Sequence, residues 1–136
     1  MIDIITNPTE AQIRHAWRDS MHGYCIWPKN LYDDVDEWVA FWNSAKLMFY
    51  PTILMENDIR CSVIMGLTDY RQEHKTAEFL YCAGPIINPV GIARAVGVYL
   101  NAMLSSGKVD VIYGIYKADK VIERTARLFG FKQCRS

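Results

Sequence analysis

The sequence contains no apolar run near the ~20 residues that a helix needs to cross a bilayer. Its opening stretch, MIDIITNPTE, also lacks the basic segment followed by an apolar core that marks a secretory signal peptide. Both absences predict a cytoplasmic protein with no membrane partner.

Neither sign of charge is in excess, because 15 Lys and Arg residues balance 15 Asp and Glu residues. Proteins that bind nucleic acid or anionic membranes through their overall field carry net positive charge. The composition therefore predicts no nucleic-acid partner.

Cysteine occurs at four positions, but none forms a CxxC pair and no Cys/His group has zinc-site spacing. Cys61 and Cys82 lie in apolar runs, as reduced core thiols do. His15, His22 and His74 are scattered along the chain. We expect free thiols and no bound metal.

The apolar content is sufficient for one domain spanning 1–136, since 51% of the 136 residues are hydrophobic. A chain of this length buries about two-thirds of its unfolded surface and needs no disulfide or metal to fold. No repeat, linker or low-complexity tract divides it.

Hydrophobic periodicity and turn residues predict the element order β-α-α-β-β-β-α-β-α-β. Asn7, Pro8 and Glu10 fit the start of the first helix, and Asp34 fits the N-cap of the second. TAEFLYCA, at 76–83, is apolar enough to be a strand buried on both faces.

A helix is predicted over 90–106, with Gly107 after its end, and a strand over VDVIYGIY. A short helix follows Asp119 and ends at Gly130, before a short last strand, FKQC. Strands joined by tight turns pair antiparallel, whereas the strand–helix–strand unit is a parallel crossover. The fold class is therefore α/β, with a mixed, mostly antiparallel sheet flanked by helices.

A turn rich in small residues, GPIINPVGIA at 84–93, joins the apolar strand to the long helix. Unpaired N–H groups and about half a positive charge at a helix N-terminus suit a phosphate. Val90, Gly91, Ile92, Ala93 and Arg94 are the candidate donors, whereas Pro89 has no N–H. The alternative is that these small residues only let the helix pack on the sheet.

This turn, in this order of elements, resembles the GNAT (Gcn5-related N-acetyltransferase) family over nearly the whole chain. The pyrophosphate-binding turn of that family is V-x-P-x-x-Q/R-x-x-G-x-G/A, and Pro85, Gly91 and Ala93 match it. Asn88 and Ala83 depart from the pattern. The resemblance implies that acetyl-CoA is bound by Leu80, Cys82, Ala83, Asn88, Val90, Gly91, Ile92, Ala93, Arg94 and Asp119.

The final helix of the family has the form N-x-x-A-x-x-L-Y-x-x-x-G-F. Asp119 stands at the Asn position here, and Gly130 and Phe131 match. The family's tyrosine, a general acid toward the departing CoA thiolate, falls at Ala126, which cannot donate a proton. Tyr113 and Tyr116 on the preceding strand are the candidates to replace it.

Glu78 begins a strand similar to the Ala-Glu-apolar-apolar-aromatic-Cys-Ala strand of the histone-acetyltransferase branch, whose glutamate is the general base. A carboxylate beside apolar neighbours has a raised pKa and could deprotonate an amine through water. The alternative is that Glu78 faces solvent at a strand end. The backbone of Leu80 to Ala83 would pair with the pantetheine arm.

Three aromatic residues lie in the predicted loop between the first two helices: Tyr24, Trp27 and Tyr32. In the GNAT family this loop often lines the acceptor site. The resemblance therefore implies an aromatic pocket for the acceptor, a small-molecule or protein amine.

GNAT members usually end in two further strands, whereas this sequence has room for one after Gly130. An unpaired sheet edge promotes association. The shortened C-terminus therefore predicts a contact with a second copy or another protein near Phe131 to Cys134.

Two functions fit these observations. The first is an acetyltransferase that moves an acetyl group from acetyl-CoA to an amine by direct attack, with Glu78 as base. The second is a non-catalytic assembly protein, similar to small GNAT-like proteins of tailed bacteriophages, some of them in the virion. Ala126, Asn88 and Pro89 favour the second, which would place the protein in host cytoplasm or virion.

Overall fold

The chain folds into a mixed sheet with helices on both faces. A computed structural model describes residues 2–20, 24–25, 34–45, 51–57, 60–84, 86–114 and 120–132. These residues form, in chain order, β1 (Ile2–Thr6), α1 (Glu10–Ser20), β2 (Tyr24–Cys25), α2 (Val35–Ala45), β3 (Thr52–Glu56), β4 (Arg60–Arg71), β5 (Thr76–Ala83), α3 (Pro89–Ser105), β6 (Val111–Tyr113) and α4 (Lys120–Leu128).

The strands are ordered β1-β3-β4-β5-β2, and β6 also pairs with β5. All pairs are antiparallel except β5 with β6. The helix α3 connects this parallel pair, as a parallel connection requires. The predicted fold class, a mostly antiparallel mixed sheet flanked by helices, is confirmed.

Each face of the sheet buries its own apolar core, because successive side chains of a strand point to opposite faces. On β5, Phe79 and Tyr81 pack with α3 residues such as Val96, while Leu80 and Cys82 pack with the residues of α1 and α2. No helix in the described ranges is long and apolar enough to cross a bilayer.

The cap of α1 differs from the one predicted at Asn7. The N–H of Gln12 donates to the hydroxyl of Thr9 (3.2 Å), and the N–H of Thr9 donates to the Gln12 side chain (2.8 Å). This is a reciprocal capping box with its N-cap two residues later, at the start of a helix that begins at Glu10. Asn7 instead adopts the left-handed conformation (φ 54°), which asparagine tolerates.

Three strand predictions also differ from the structure. In VDVIYGIY, the strand among the described residues is limited to Val111–Tyr113. Tyr24 and Cys25, predicted in a loop, form the short strand β2 opposite Ala83 and Cys82. In the segment FKQC, Phe131 and Lys132 are not in a strand, and positions 133 and 134 lie outside the described residues. Phe131 instead stacks on Phe79, with ring centroids 5.6 Å apart. The predicted contact with another copy or protein at this segment stays a prediction.

Candidate functional site

The turn from β5 into α3 is built around Asn88. Its side-chain Oδ1 accepts the N–H of Gly91 (3.0 Å), and Pro89 follows as the first residue of the helix. An asparagine N-cap and a proline at the first helical position are both favoured at helix starts. Asn88, which departs from the Gln or Arg of the family pattern, is therefore the N-cap of α3.

A second side chain holds the same turn from β3, whose last residue lies at the same end of the sheet as the last residue of β5. Glu56, the last residue of β3, is 2% exposed. Its two carboxylate oxygens accept the N–H groups of Ile87 (2.8 Å) and Asn88 (2.7 Å). No sequence pattern signals this contact, since its partners lie 31 and 32 positions from Glu56, which stands at an ordinary strand end.

Most N–H groups at the start of α3 are already bonded within the chain. Asn88 donates to Glu56, Gly91 donates to Asn88, and the N–H of Ile92 donates to the Asn88 carbonyl (3.1 Å). Ala93 and Arg94 lie in the next turn, where amides bond within the helix. The Val90 amide is the donor of the first turn for which the described residues supply no acceptor.

The lack of a side chain at Gly91 is required by the packing of this turn. A Cβ there would come within 2.6 Å of the Asn88 side-chain nitrogen and within 2.6 Å of Ile2 Cδ1. Ile92 is buried in the core, whereas Val90 is 62% exposed. Gly91 therefore has the packing role that the alternative prediction for this turn describes, and Val90 is a surface residue.

The predicted base, Glu78, lies near the start of β5, close enough to Asp69 and Tyr113 to interact with them electrostatically. It is half-buried and stands opposite Thr68 of β4 and Tyr113 of β6. Burial, and secondly the negative charge of Asp69, raise the pKa of Glu78. The hydroxyl of Tyr113 donates to Asp69 (2.8 Å). The structure thus brings Glu78 and Tyr113 together.

Tyr113 is itself perturbed in this group. Burial is the first cause that raises the pKa of Tyr113, followed by its hydrogen bond to Asp69 and the charges of Asp69 and Glu78. A hydroxyl with a raised pKa holds its proton more firmly, so this tyrosine is a weaker acid than an exposed one.

The outer edge of β5 is shared by two strands. β6 runs parallel to residues 76–78, and β2 runs antiparallel to Cys82 and Ala83. Leu80 lies between these two pairings, with its side chain 4% exposed in the core. A pantetheine arm that paired with Leu80 to Ala83, as predicted, would therefore compete with β2 at Cys82 and Ala83. Cys82 is a buried, reduced thiol, as predicted.

The end of α4 explains the Gly-Phe match in structural terms. The N–H of Phe131 donates to the Ala126 carbonyl (3.0 Å), and the N–H of Gly130 donates to the Arg127 carbonyl (3.0 Å). These two bonds, with Gly130 at φ 97°, form a Schellman motif. Ala126, at the position of the family's tyrosine, is 5% exposed.

Several predicted site residues lie outside the described residues: Trp27, Tyr32, Pro85, Tyr116 and Asp119. Tyr24 is described in its backbone, which pairs with Ala83. Within the described ranges, no group of His, Cys, Asp and Glu side chains could hold a metal ion.

Comparison with known proteins supports the fold. No protein-family model and no curated protein matches the chain. Among solved structures, a spermidine N-acetyltransferase from Vibrio cholerae in complex with CoA and spermine superposes with a TM-score of 0.70 and 14% identity, covering 95% of this chain and 79% of that one.

Two further solved structures give the same result. The protein yncA from Salmonella typhimurium, with its cofactor acetyl-CoA, has a TM-score of 0.70 and 17% identity, covering 96% of this chain and 79% of that one. A ribosomal-protein alanine acetyltransferase from Vibrio fischeri has a TM-score of 0.71 and 9% identity, over 96% and 79%. The chain therefore has the fold of GNAT acetyltransferases.

Proposed function

We propose that the protein is an acetyl-CoA-dependent N-acetyltransferase that acetylates a small amine by direct attack. The observation that carries the proposal is Glu78, a half-buried carboxylate with a raised pKa at the start of β5. In the same fold, the Vibrio cholerae enzyme acts on spermidine and was solved with CoA and spermine. A small amine is accordingly the proposed class of acceptor.

The turn after β5 offers one backbone donor, the Val90 amide, for the pyrophosphate of acetyl-CoA. Val90 is an exposed residue at the positive end of α3, and its amide has no acceptor among the described residues. The proposed cofactor-binding residues are Leu80, Cys82, Ala83, Asn88, Val90, Gly91, Ile92, Ala93, Arg94 and Asp119. The bound cofactor supplies the activated acetyl group.

Glu78 is the proposed general base. Its raised pKa makes the carboxylate a stronger base than an exposed glutamate, so it can accept a proton from the protonated amine through water. The neutral amine nitrogen then forms a bond to the acetyl carbonyl carbon, and the carbon–sulfur bond to CoA breaks. The second proton, which the nitrogen loses on becoming an amide, passes to water. A backbone N–H of β5 stabilises the developing oxyanion.

The leaving CoA thiolate takes a proton in the last step. Tyr116 is the proposed donor, because the hydroxyl of Tyr113 is already hydrogen-bonded to Asp69. Tyr24, Trp27 and Tyr32 are proposed to line the acceptor site. The comparisons do not favour the alternative, a non-catalytic assembly protein, since the solved structures of this fold described above are acetyltransferases.

Calorimetric titration with acetyl-CoA tests this function. Gly91→Glu should abolish the binding that the wild type shows, because its side chain clashes with Asn88 and Ile2 at the turn. Gly97→Glu is the matched control, since a Cβ there meets nothing within 4 Å on the same helix. A wild type that binds no acetyl-CoA at millimolar concentration would refute the proposal.

A further inference from the structure

Glu56 connects the end of β3 to the start of α3 through two hydrogen bonds. Both carboxylate oxygens are used, at 2.8 Å to the Ile87 amide and 2.7 Å to the Asn88 amide. Glu56 is 2% exposed, so water has little access to compete for these bonds. Bonds from backbone N–H groups to a carboxylate are short and are stronger than bonds between neutral groups.

Apolar burial contributes little to the conformation of residues 87–90, which lie between Ile86, packed against the core, and the buried Ile92. Ile87 is 61% exposed and Val90 is 62% exposed, and Asn88 and Pro89 are exposed as well. Few apolar contacts and an exposed backbone are the features of segments that open locally. Among the described residues, the two bonds to Glu56 and the Asn88 cap are therefore the polar interactions that fix residues 87–91.

These interactions form one continuous chain of bonds. Glu56 fixes the Asn88 backbone, and the Asn88 side chain then accepts the Gly91 amide. Val90 lies between the two anchored residues, so their positions determine where its amide points, which the described residues leave without an acceptor. A site that is ordered before binding loses less conformational entropy when the ligand arrives.

We propose that Glu56 is a positioning residue for the β5–α3 turn, which it holds in the conformation that binds the diphosphate of acetyl-CoA. This inference rests on the proposed function. Glu56 itself contacts no ligand, because its side chain is buried behind the turn and acts through Asn88. It sets the affinity for the cofactor and leaves the chemical step unchanged.

Two variants test the proposal by acetyl-CoA calorimetry and steady-state kinetics. Glu56→Ala removes both bonds and should weaken acetyl-CoA binding about tenfold, with KM raised and kcat unchanged at saturation. Glu56→Gln keeps the size of the side chain and one acceptor oxygen, so its loss should be smaller. Amide hydrogen exchange at Ile87 and Asn88 should accelerate in the same order.

The control is Ile53→Val, which removes one buried methylene from the same strand without touching the turn. It should bind acetyl-CoA as the wild type does, which separates a positioning role from loss of stability. Unchanged or tighter binding in Glu56→Gln and Glu56→Ala, with a wild type that binds acetyl-CoA, would overturn this inference alone. Absence of binding in the wild type would instead refute the proposed function.

Discussion

The hydroxyl of Tyr113 donates a 2.8 Å hydrogen bond to Oδ2 of Asp69, which joins β6 to the bulged end of β4. Both residues interact electrostatically with Glu78 on the strand between them. Two carboxylates and a phenol thus share one end of the sheet. Their mutual effects on pKa make the proposed base testable by pH.

Glu78→Gln should lower kcat/KM at least about 10²-fold, because the amide cannot accept a proton from the amine. The release of CoA thiol with acetyl-CoA and a small amine such as spermidine measures this. Calorimetric affinity for acetyl-CoA should stay at the wild-type value, since Glu78 is not among the proposed cofactor ligands. Activity equal to that of the wild type would contradict the role of Glu78 as a base and support the alternative, in which it faces solvent at a strand end.

Asp69→Asn should shift the acidic limb of the kcat/KM profile to lower pH. The negative charge of Asp69 is the second cause that raises the pKa of Glu78, so its removal lowers that pKa. Burial is the larger cause and persists, so the pKa should stay above that of an exposed glutamate. An acidic limb that does not move would show that another group titrates there.

The same pKa shift makes a prediction for stability. Because the pKa of Glu78 is raised in the folded state, its contribution to stability is fully present below the unfolded pKa and is lost as pH rises through the folded pKa. Glu78→Gln should therefore be more stable than the wild type at neutral pH. Urea unfolding across pH should show this difference disappear in acid, and a constant difference would contradict the assignment.

Local sequence signals predicted some elements closely and others poorly. The bounds of β5 agree with the prediction because a continuous apolar run stands between a polar turn and Gly84. α3 begins at Pro89 and ends at Ser105, within one residue of the prediction at each end. Both elements are bounded by residues whose backbone preferences are strong.

Sequence patterns did not predict the contacts between segments that are distant along the chain. β2 consists of two residues and exists through its pairing with Cys82 and Ala83, far along the chain. Glu56 likewise appears as an ordinary strand end until the fold brings the start of α3 beside it. The resemblance located the turn, but the N–H groups that are already bonded are visible only in the folded structure.

Phenylalanine variants at the two candidate tyrosines should separate their roles. Tyr116→Phe should lower kcat about 10²-fold and remove the basic limb of the pH profile, as expected for loss of the proton donor to CoA. Tyr113→Phe should cost less, because the Tyr113 hydroxyl is bonded to Asp69. A larger loss in Tyr113→Phe would move the acid role to that residue.

Ala126→Tyr restores the family's tyrosine in sequence but should destabilise the fold. The Ala126 side chain is 5% exposed, so a ring there must displace its neighbours, at a cost of about 1–3 kcal/mol in the free energy of unfolding. Arg127→Tyr, on the exposed side of the same helix, should change stability by less than about 0.5 kcal/mol. A stable Ala126→Tyr protein with increased kcat would show that this position reaches the cofactor.

Two glycine-to-alanine variants should shift stability in opposite directions. Gly130 has φ 97°, a conformation that an alanine side chain strains, so Gly130→Ala should lower the free energy of unfolding by about 1–3 kcal/mol. Gly97 lies in α3 with open space around its Cβ position, so Gly97→Ala should stabilise by about 0.4–1 kcal/mol through the unfolded chain.

Urea denaturation at fixed pH measures both glycine variants. The Schellman bonds from Gly130 and Phe131 hold Phe131 against Phe79, so Gly130→Ala should also increase exchange at the Phe131 amide. Gly97→Ala should leave that amide protected. A Gly130→Ala variant as stable as the wild type would contradict the explanation of the Gly-Phe match by the Schellman motif at the end of α4.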